Sequence, residues 1–484
     1  MKIIMNRKLT SNYAYTLLFQ GLNVLTPLIT TPYVSRILQP EGVGIISYTV
    51  AIATFFAMLA ATGVGSYGQR EIAYFRDDPD ARSVIFWELF WLRTVTTLLI
   101  GAVYIGVCFY LREYTTYLLW QSIIVFSVIL DVSWFFQGIE EFKIVTIRNS
   151  LVKLTSVILV FIIIKDASHL GRYILVNSCS NAFSLLLFLP ELRKYVKPVP
   201  VKQLNMGRHF RGNLELFIPV IATQIYTQLD KVMLGAMTST IAENGYYEQA
   251  RKITSILTPL LAAINTVLFP RVANLYIQQD YDQIKKFHRQ TFNIILMLIV
   301  PLVTGLWIIS DNFVVWFLGE AFIRTSILIK LSGWILLFMC VGNFVGVQML
   351  MPTGRQNQMT TVYMIAAAMN VVLNGLLIPR YLAVGAIVAS MIAEAFSCFA
   401  QVYLLKKSEF NFPMLADLPK YLGAAAAMVG VLLSLHVLVR LSGPLATIAD
   451  IAVGAATYFS VLLLLREEML IQVLTSVLPK SRKK

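Results

Sequence analysis

"TTPYVSRILQPEGVG", Thr30 to Gly44, is the stretch on which the fold turns. An apolar run that starts near Tyr13 stops here and another starts at Ile45, and between them lie two prolines, two glycines, an arginine and a glutamate. Pro32 can bend the end of the first helix, Gln39-Pro40-Glu41-Gly42 has the composition of a tight turn, and Gly44 lets a neighbouring backbone come close. Two apolar helices joined by a short charged corner is a pattern the rest of the chain repeats.

Composition says what kind of molecule can be built this way. Apolar residues make up 57% and charged residues 14% of 484, against roughly 45–50% and 25% in soluble domains, and the mean hydropathy is +0.70. The reading is an all-α polytopic membrane protein. Nothing alternates with period two over ten-residue units, which excludes a transmembrane barrel. Cys108, Cys179, Cys340 and Cys398 each fall inside an apolar run with no pairing pattern, so they read as ordinary core or lipid-facing side chains. The basic start "MKIIMNRKLTSNY" leads into a full-length run containing Gln20, Asn23 and Pro27, and reads as a retained first helix, not a signal peptide.

A bilayer core of ~30 Å needs ~20 helical residues. Runs of that length, bounded by charge or Gly/Pro, begin near Tyr13, Ile45, Val84, Tyr117, Ile144, Tyr173, Leu214, Ile253, Phe292, Leu331, Thr361, Val384, Tyr421 and Ala446, about 14 transmembrane helices in all. An even number puts both termini on one side. Of the 40 Lys and Arg, roughly three fall on the N-terminal side for each one opposite, so the positive-inside rule puts both termini in the cytoplasm. That asymmetry also accounts for most of the +14 net charge without nucleic acid as a partner.

The basic connection from Pro190 to Asn213, with Pro198 and Pro200, divides the chain. The expected organisation is a six-helix bundle over 1–189, a cytoplasmic linker over 190–213, a second six-helix bundle over 214–405, and helices 13 and 14 with a tail over 406–484. The halves echo each other: "YVSRILQPEGVGIISY" at the end of span one resembles "QLDKVMLGAMTSTIAENGYYEQA" at the end of span seven. Repeats of six spans keep the same topology, and two parallel bundles around a central cavity suit alternating access.

Five ordered motifs add a resemblance. "PYVSRILQPEGVG", "YGQREIA" (Tyr67 to Ala73), "WFFQGIEEFKIVTIRN" (Trp134 to Asn149), "LDKVMLG" (Leu229 to Gly235) and "NGYYEQARKI" (Asn244 to Ile253) together resemble the polysaccharide-transporter family. Its members are Wzx-type flippases for O-antigen, capsule and exopolysaccharide units, within the multidrug/oligosaccharidyl-lipid/polysaccharide exporter superfamily. The resemblance implies a bacterial cytoplasmic-membrane flippase whose cargo is an oligosaccharide on a polyprenyl pyrophosphate, with the lipid bilayer and polysaccharide polymerase machinery as partners. Similar lipid II flippases and multidrug exporters imply coupling to a H⁺ or Na⁺ gradient or to the membrane potential, and no cofactor is implied.

A pyrophosphate passing through a membrane needs cations facing a wet cavity, where an unpaired cation otherwise costs at least ~2.5–3.5 kcal/mol. Arg93 lies nine residues into the run from Val84, roughly 13 Å deep. Lys153 is equally deep if span five starts at Ile144, with Arg148 on the approach; a later start would leave both in a loop. Arg36 and Lys231 lie near the opposite face, at the cavity mouth or snorkelling to the interface. Arg251, beside Lys252, is either a further cavity cation or half of a helix-end pair. For coupling, Glu394 lies ten residues into the run from Val384, about 15 Å deep. Asp230 is the second candidate, with pairing to Lys231 or Arg251 as its alternative, while Asp131 and Glu88 read as solvated near the cytoplasmic face.

Other classes fit less well. A multidrug antiporter should favour acidic and aromatic cavity residues for organic cations, whereas the deep charges here are mainly basic. A glycan polymerase or ligase usually carries a large outer loop with paired acids, and every outer connection here is short. No G-x-x-x-x-G-K-[ST] phosphate loop, metal-ligand spacing or nucleophile-base arrangement occurs. His169, His209, His288 and His436 are scattered and read as structural or solvated.

Overall fold

The computed structural model of the protein describes residues 7–258, 272, 274–406, 414–439 and 441–477. Among these residues there are helices and turns and no strand. Ten helical stretches are long and apolar enough to cross a membrane. Two of them hold two expected spans each, joined across a kink. The span expected from Leu214 is the helix Phe210–Met237, whereas most of the one expected from Ile253, like the C-terminal tail, lies outside the described residues.

Packing divides the chain into two compact units, Met1–Gly245 and Tyr246–Lys484. The division falls beyond the 190–213 connection because the helix Phe210–Met237 packs on the first unit.

The first unit contains α1 (Arg7–Ala61), α2 (Val64–Tyr74), α3 (Pro79–Tyr110), α4 (Thr115–Ser127), α5 (Ser133–Gly138), α6 (Phe142–Ile163), α7 (Leu170–Leu186), α8 (Leu189–Leu192) and α9 (Phe210–Met237). The corner expected at Gln39 to Gly42 is tighter than a four-residue turn. α1 runs through it, broken at the single residue Gln39, whose φ is 58°. The following Pro40 fits a break here, since a residue before proline is pushed out of the α region and Pro40 itself cannot donate back into the helix. Gly44 then meets the second copy of the motif. A Cβ on Gly44 would lie 2.0 Å from the Ile241 carbonyl oxygen, and one on Gly245 would lie 2.1 Å from the Pro40 carbonyl oxygen. The two corners that echo each other in sequence therefore touch backbone to backbone.

α3 begins on a cap, with the Asp78 carboxylate accepting from the N–H groups of Asp80 and Ala81 at 3.0 and 3.1 Å and Pro79 at the first helical position. Its first turns carry Phe86 and Leu89 into an aromatic core with Trp134, Phe135, Phe136 and Phe188. Here Phe86 stacks on Trp134 at 5.7 Å and Phe136 on Phe188 at 5.0 Å.

The connection expected as a linker is fastened to this core. The Lys197 N–H donates to Ser83 Oγ at 3.0 Å, Trp87 Nε1 donates to the Lys197 carbonyl at 2.9 Å, and Arg82 Nη2 donates to the Tyr195 carbonyl at 2.9 Å. Glu88, expected to be solvated, is 1% exposed. It accepts from the Asn205 N–H at 2.7 Å, from Arg208 Nε at 2.9 Å and from His209 Nε2 at 2.7 Å, and the other His209 nitrogen meets the Tyr67 hydroxyl at 3.0 Å. A carboxylate so close to the end of a membrane helix is buried because the strap brings its own donors.

The second unit holds the helices Tyr281–Leu318, Thr325–Asn343, Gln356–Lys406, Leu418–Leu438, Gly443–Leu464 and Glu468–Val477. Phe344–Leu350 continues the second of these as a π-helix, and the third bends at Leu382, where φ is 55°, three residues after Pro379. Phe292, Val300, Leu336, Met349, Tyr421 and Tyr458 share one core, so helices 13 and 14 belong to this unit. Asn312 Nδ2 and Trp316 Nε1 both donate to Thr447 Oγ1, at 3.0 and 2.8 Å, and tie helix 14 to Tyr281–Leu318.

Candidate functional site

Three helices of the first unit turn polar faces toward one another. On α1 these are Asn23, Thr26 and Thr30, spaced i, i+3, i+7. On α6 they are Asn149, Lys153 and Ser156, spaced i, i+4, i+7, and on α7 Asn177, Ser180, Asn181 and Ser184, spaced i, i+3, i+4, i+7. Such spacing puts each set on one side of its helix, and together with Tyr173 and three valines they line a cavity of about 430 Å³. Beyond Thr30, Tyr33 pins α1 to α6: its hydroxyl donates to the Ile164 carbonyl at 2.6 Å and its ring lies 4.5 Å from that of Phe161.

Lys153 lies halfway along the 22-residue α6, so span five does begin early enough to carry both Arg148 and Lys153. Lys153 lines the cavity, and its ammonium donates to Asn23 Oδ1 across it. Arg148 sits behind the lining. Its guanidinium stacks on the Phe188 ring with 3.5 Å between the carbon and the ring centre, and its Nε donates to Asn149 Oδ1 at 3.0 Å, joined by Nη2. Asn149 thus has a cation at its back, and Asn23 has one across the cavity.

The structure gives Arg93 a partner that the sequence reading did not foresee. It lies in the middle of α3 with its side chain 5% exposed, Nη1 donating to the Asp131 carbonyl at 2.8 Å and Nη2 to the Asp131 carboxylate at 3.2 Å. Asp131, expected to be solvated, sits where α4 gives way to α5 and also accepts from the Ser133 N–H and hydroxyl at 3.1 and 2.6 Å. Arg93 therefore faces a carboxylate, not the open cavity, since a mid-helix guanidinium away from water must be neutralised by its own chain.

The remaining residues are dispersed. Arg36 is exposed beside the Gln39 kink, where its carbonyl accepts from Gln39 Nε2. Lys231 is half-buried on α9 with its carbonyl accepting from Asn244 Nδ2 at 2.7 Å, and Asp230 beside it is buried. In the second unit Arg251 is half-buried, and Glu394 is half-buried on Gln356–Lys406. Asn370, Ser390, Ser397 and Gln401 are buried on that same bent helix, with Asn370 Nδ2 donating to Ser390 Oγ at 3.3 Å.

The residues expected in the cavity from the sequence are all charged, and the neutral amides are not among them. Asn23, Asn149, Asn177 and Asn181 supply the amides of the cavity's polar wall, and their signal was available as helical spacing of Asn, Ser and Thr inside apolar runs.

Comparison with known proteins agrees with this architecture. The chain is 25% identical over 275 residues to a putative O-antigen transporter of Escherichia coli (strain K12), a match covering 56% of this chain and 66% of that one. It is 22% identical over 389 residues to a putative O-antigen transporter of Shigella dysenteriae, covering 79% and 96%. Among solved structures it is similar to the lipid II flippase MurJ in an inward closed conformation, with a TM-score of 0.73 at 14% identity over 94% of this chain and 99% of that one. An inward-facing multidrug resistance MATE family transporter of the MOP superfamily gives a TM-score of 0.59 at 15% identity, over 80% and 96%. At such identities the structural matches establish a shared fold, that of a multi-pass membrane protein. Residues 9–276 match the family described as polysaccharide biosynthesis protein, a span that contains all five motifs and the whole polar cavity. With more than half of its length so matched, the chain belongs to the polysaccharide biosynthesis protein family.

Proposed function

We propose that the protein is a flippase that moves polyprenyl-pyrophosphate-linked oligosaccharide units across the cytoplasmic membrane by alternating access, for assembly of a cell-surface polysaccharide. The observation that carries this reading is the cavity between α1, α6 and α7. A membrane interior has no use for a wall of Asn, Ser and Thr with a lysine in its middle unless something polar passes there. The hydroxyls and the α7 amides match sugar hydroxyls, and an ammonium matches a phosphate. The names of the relatives, O-antigen transporters, a probable flippase and a capsular polysaccharide biosynthesis protein, support the same class.

In this reading both termini are cytoplasmic, the two compact units that part after Gly245 act as the moving bundles, and polysaccharide polymerase machinery takes the product on the far side. Glu394 and Asp230 are the coupling candidates for an ion gradient. Arg36, Lys231 and Arg251 contribute positive potential along the route rather than a fixed binding point.

The test is leaflet exposure of a labelled lipid-linked oligosaccharide in proteoliposomes. Wild-type protein should expose it, and Lys153→Ala at equal inserted amount should slow exposure by about tenfold or more, the scale of one charge-assisted contact. Wild-type transport of organic cations with no movement of the oligosaccharide would replace this reading with the antiporter one.

A further inference from the structure

Arg148 and Lys153 share a feature that goes beyond supplying charge: each donates to the oxygen of a neighbouring asparagine amide. Arg148 reaches Asn149 Oδ1 through Nε and Nη2, and Lys153 reaches Asn23 Oδ1. Arginine and lysine carry donors only, so the atom they hold must be the amide oxygen, and the orientation of both side-chain amides follows without ambiguity. With Oδ1 taken, the group left for the cavity is the NH₂, and neither Asn149 nor Asn23 donates to any acceptor among the described residues. A cation on Oδ1 also polarises the amide and strengthens the opposite N–H as a donor.

We propose that Arg148 is a positioning residue for Asn149, and that the two amides with Lys153 form a donor-only face that selects an oxyanion, a phosphate or carboxylate group, over a neutral hydroxyl. Three facts separate this role from direct anion binding by Arg148. The guanidinium is buried, it is stacked on Phe188, and it is turned toward the amide oxygen. A hydroxyl both donates and accepts, so on this face half of its capacity is wasted. An oxyanion accepts at every lone pair and meets a donor at each. The inference rests on the cavity being the substrate route, and it adds the chemical class of the group bound there.

The test uses the full-length protein in lipid nanodiscs, with binding read by calorimetry and folding by thermal unfolding. The probes are inorganic pyrophosphate, glucuronate and glucose. The first stands for the carrier's phosphates and the second for an acidic sugar, so the stronger of the two identifies the source of the oxyanion. Asn149→Asp is the decisive variant. It keeps an oxygen for Arg148 and turns the hydrogen bond into an ion pair, so a merely structural Asn149 predicts unchanged or higher thermal stability with unchanged binding. The proposal predicts retained stability with oxyanion affinity reduced about 10- to 100-fold, because a donor becomes an anion. Arg148→Ala should give a smaller loss, about 3- to 10-fold, as the freed amide spends part of its time reversed. Asn23→Asp repeats the test on the opposite wall and serves if Asn149→Asp does not accumulate.

Wild-type affinity in both aspartate variants, or glucose binding as tight as either oxyanion, would overturn the proposal. Oxyanion binding that behaves as expected while the oligosaccharide fails to change leaflet would leave this site standing and remove the flippase reading. Leaflet exposure without oxyanion selectivity would do the reverse.

Discussion

Arg93 is the residue at which a transport role and a structural role diverge most sharply, and the pair it forms with Asp131 allows the two to be told apart. Removing Arg93 leaves Asp131 with its two Ser133 contacts and a side chain 29% exposed, so the carboxylate keeps donors of its own. The loss is then the charge-assisted contacts themselves, about 2 kcal/mol. Removing the Asp131 carboxylate instead strands a guanidinium 5% exposed in the middle of α3, holding only the Asp131 backbone carbonyl. That falls in the range for an uncompensated buried charge, about 3–5 kcal/mol. The structure thus orders the variants, with Asp131→Ala more damaging than Arg93→Ala. The neutral double variant Arg93→Met/Asp131→Asn should lie well above the sum of its parts, because no charge is left behind. The assay is thermal unfolding of detergent-purified protein, normalised to inserted amount, beside leaflet exposure of a lipid-linked oligosaccharide. An Arg93→Ala protein with wild-type stability and no transport would refute this reasoning and return Arg93 to the substrate route.

Four further outcomes follow from the geometry. Gly44→Ala places a methyl 2.0 Å from the Ile241 oxygen, so the corners must separate, at about 1–3 kcal/mol, and Gly245→Ala should lower the unfolding temperature to a similar degree. Glu88→Gln retains an acceptor for the Asn205 N–H but loses the charge facing Arg208, itself half exposed, so a loss of about 1–2 kcal/mol is expected, read as faster proteolysis within 195–209. Glu394→Gln should leave folding intact while flattening the ion dependence of transport, and unchanged dependence would remove Glu394 from coupling. Reporters after Lys484 and near Val201 should read cytoplasmic and one near Glu41 external; an external reading at Val201 would overturn the expected topology.

The helices were legible because burial in lipid imposes long apolar runs, and even the corner at Gln39 showed itself through Pro40. Pairings were not legible. That Gly44 meets Gly245 could be suspected from the echo between the two motifs, yet the contact depends on where α9 packs. Glu88 illustrates the limit more plainly. Its distance from a helix end suggested solvation, and only the path of the strap, whose prolines and lysines read as a loose linker, brings Arg208 and His209 onto it. Depth along a helix likewise located Arg93 and Lys153 equally well, but could not say that one would find a carboxylate and the other an amide.

The separation of these partners along the chain sets a timetable for insertion. Asp131 follows Arg93 by 38 residues and Arg208 follows Glu88 by 120. At a synthesis rate of about 5–20 residues per second, Arg93 waits about 2–8 s for its carboxylate and Glu88 about 6–24 s for its cation. A guanidinium midway along α3 costs about 2.5–3.5 kcal/mol in lipid during that interval, so α3 is expected to stay at the insertion site until α4 and the Asp131 turn have emerged, and the two should enter the bilayer together. Glu88, nearer the start of its helix, should pass its longer wait in the hydrated headgroup layer. Closure of the strap over it is then the last event in building the first six spans.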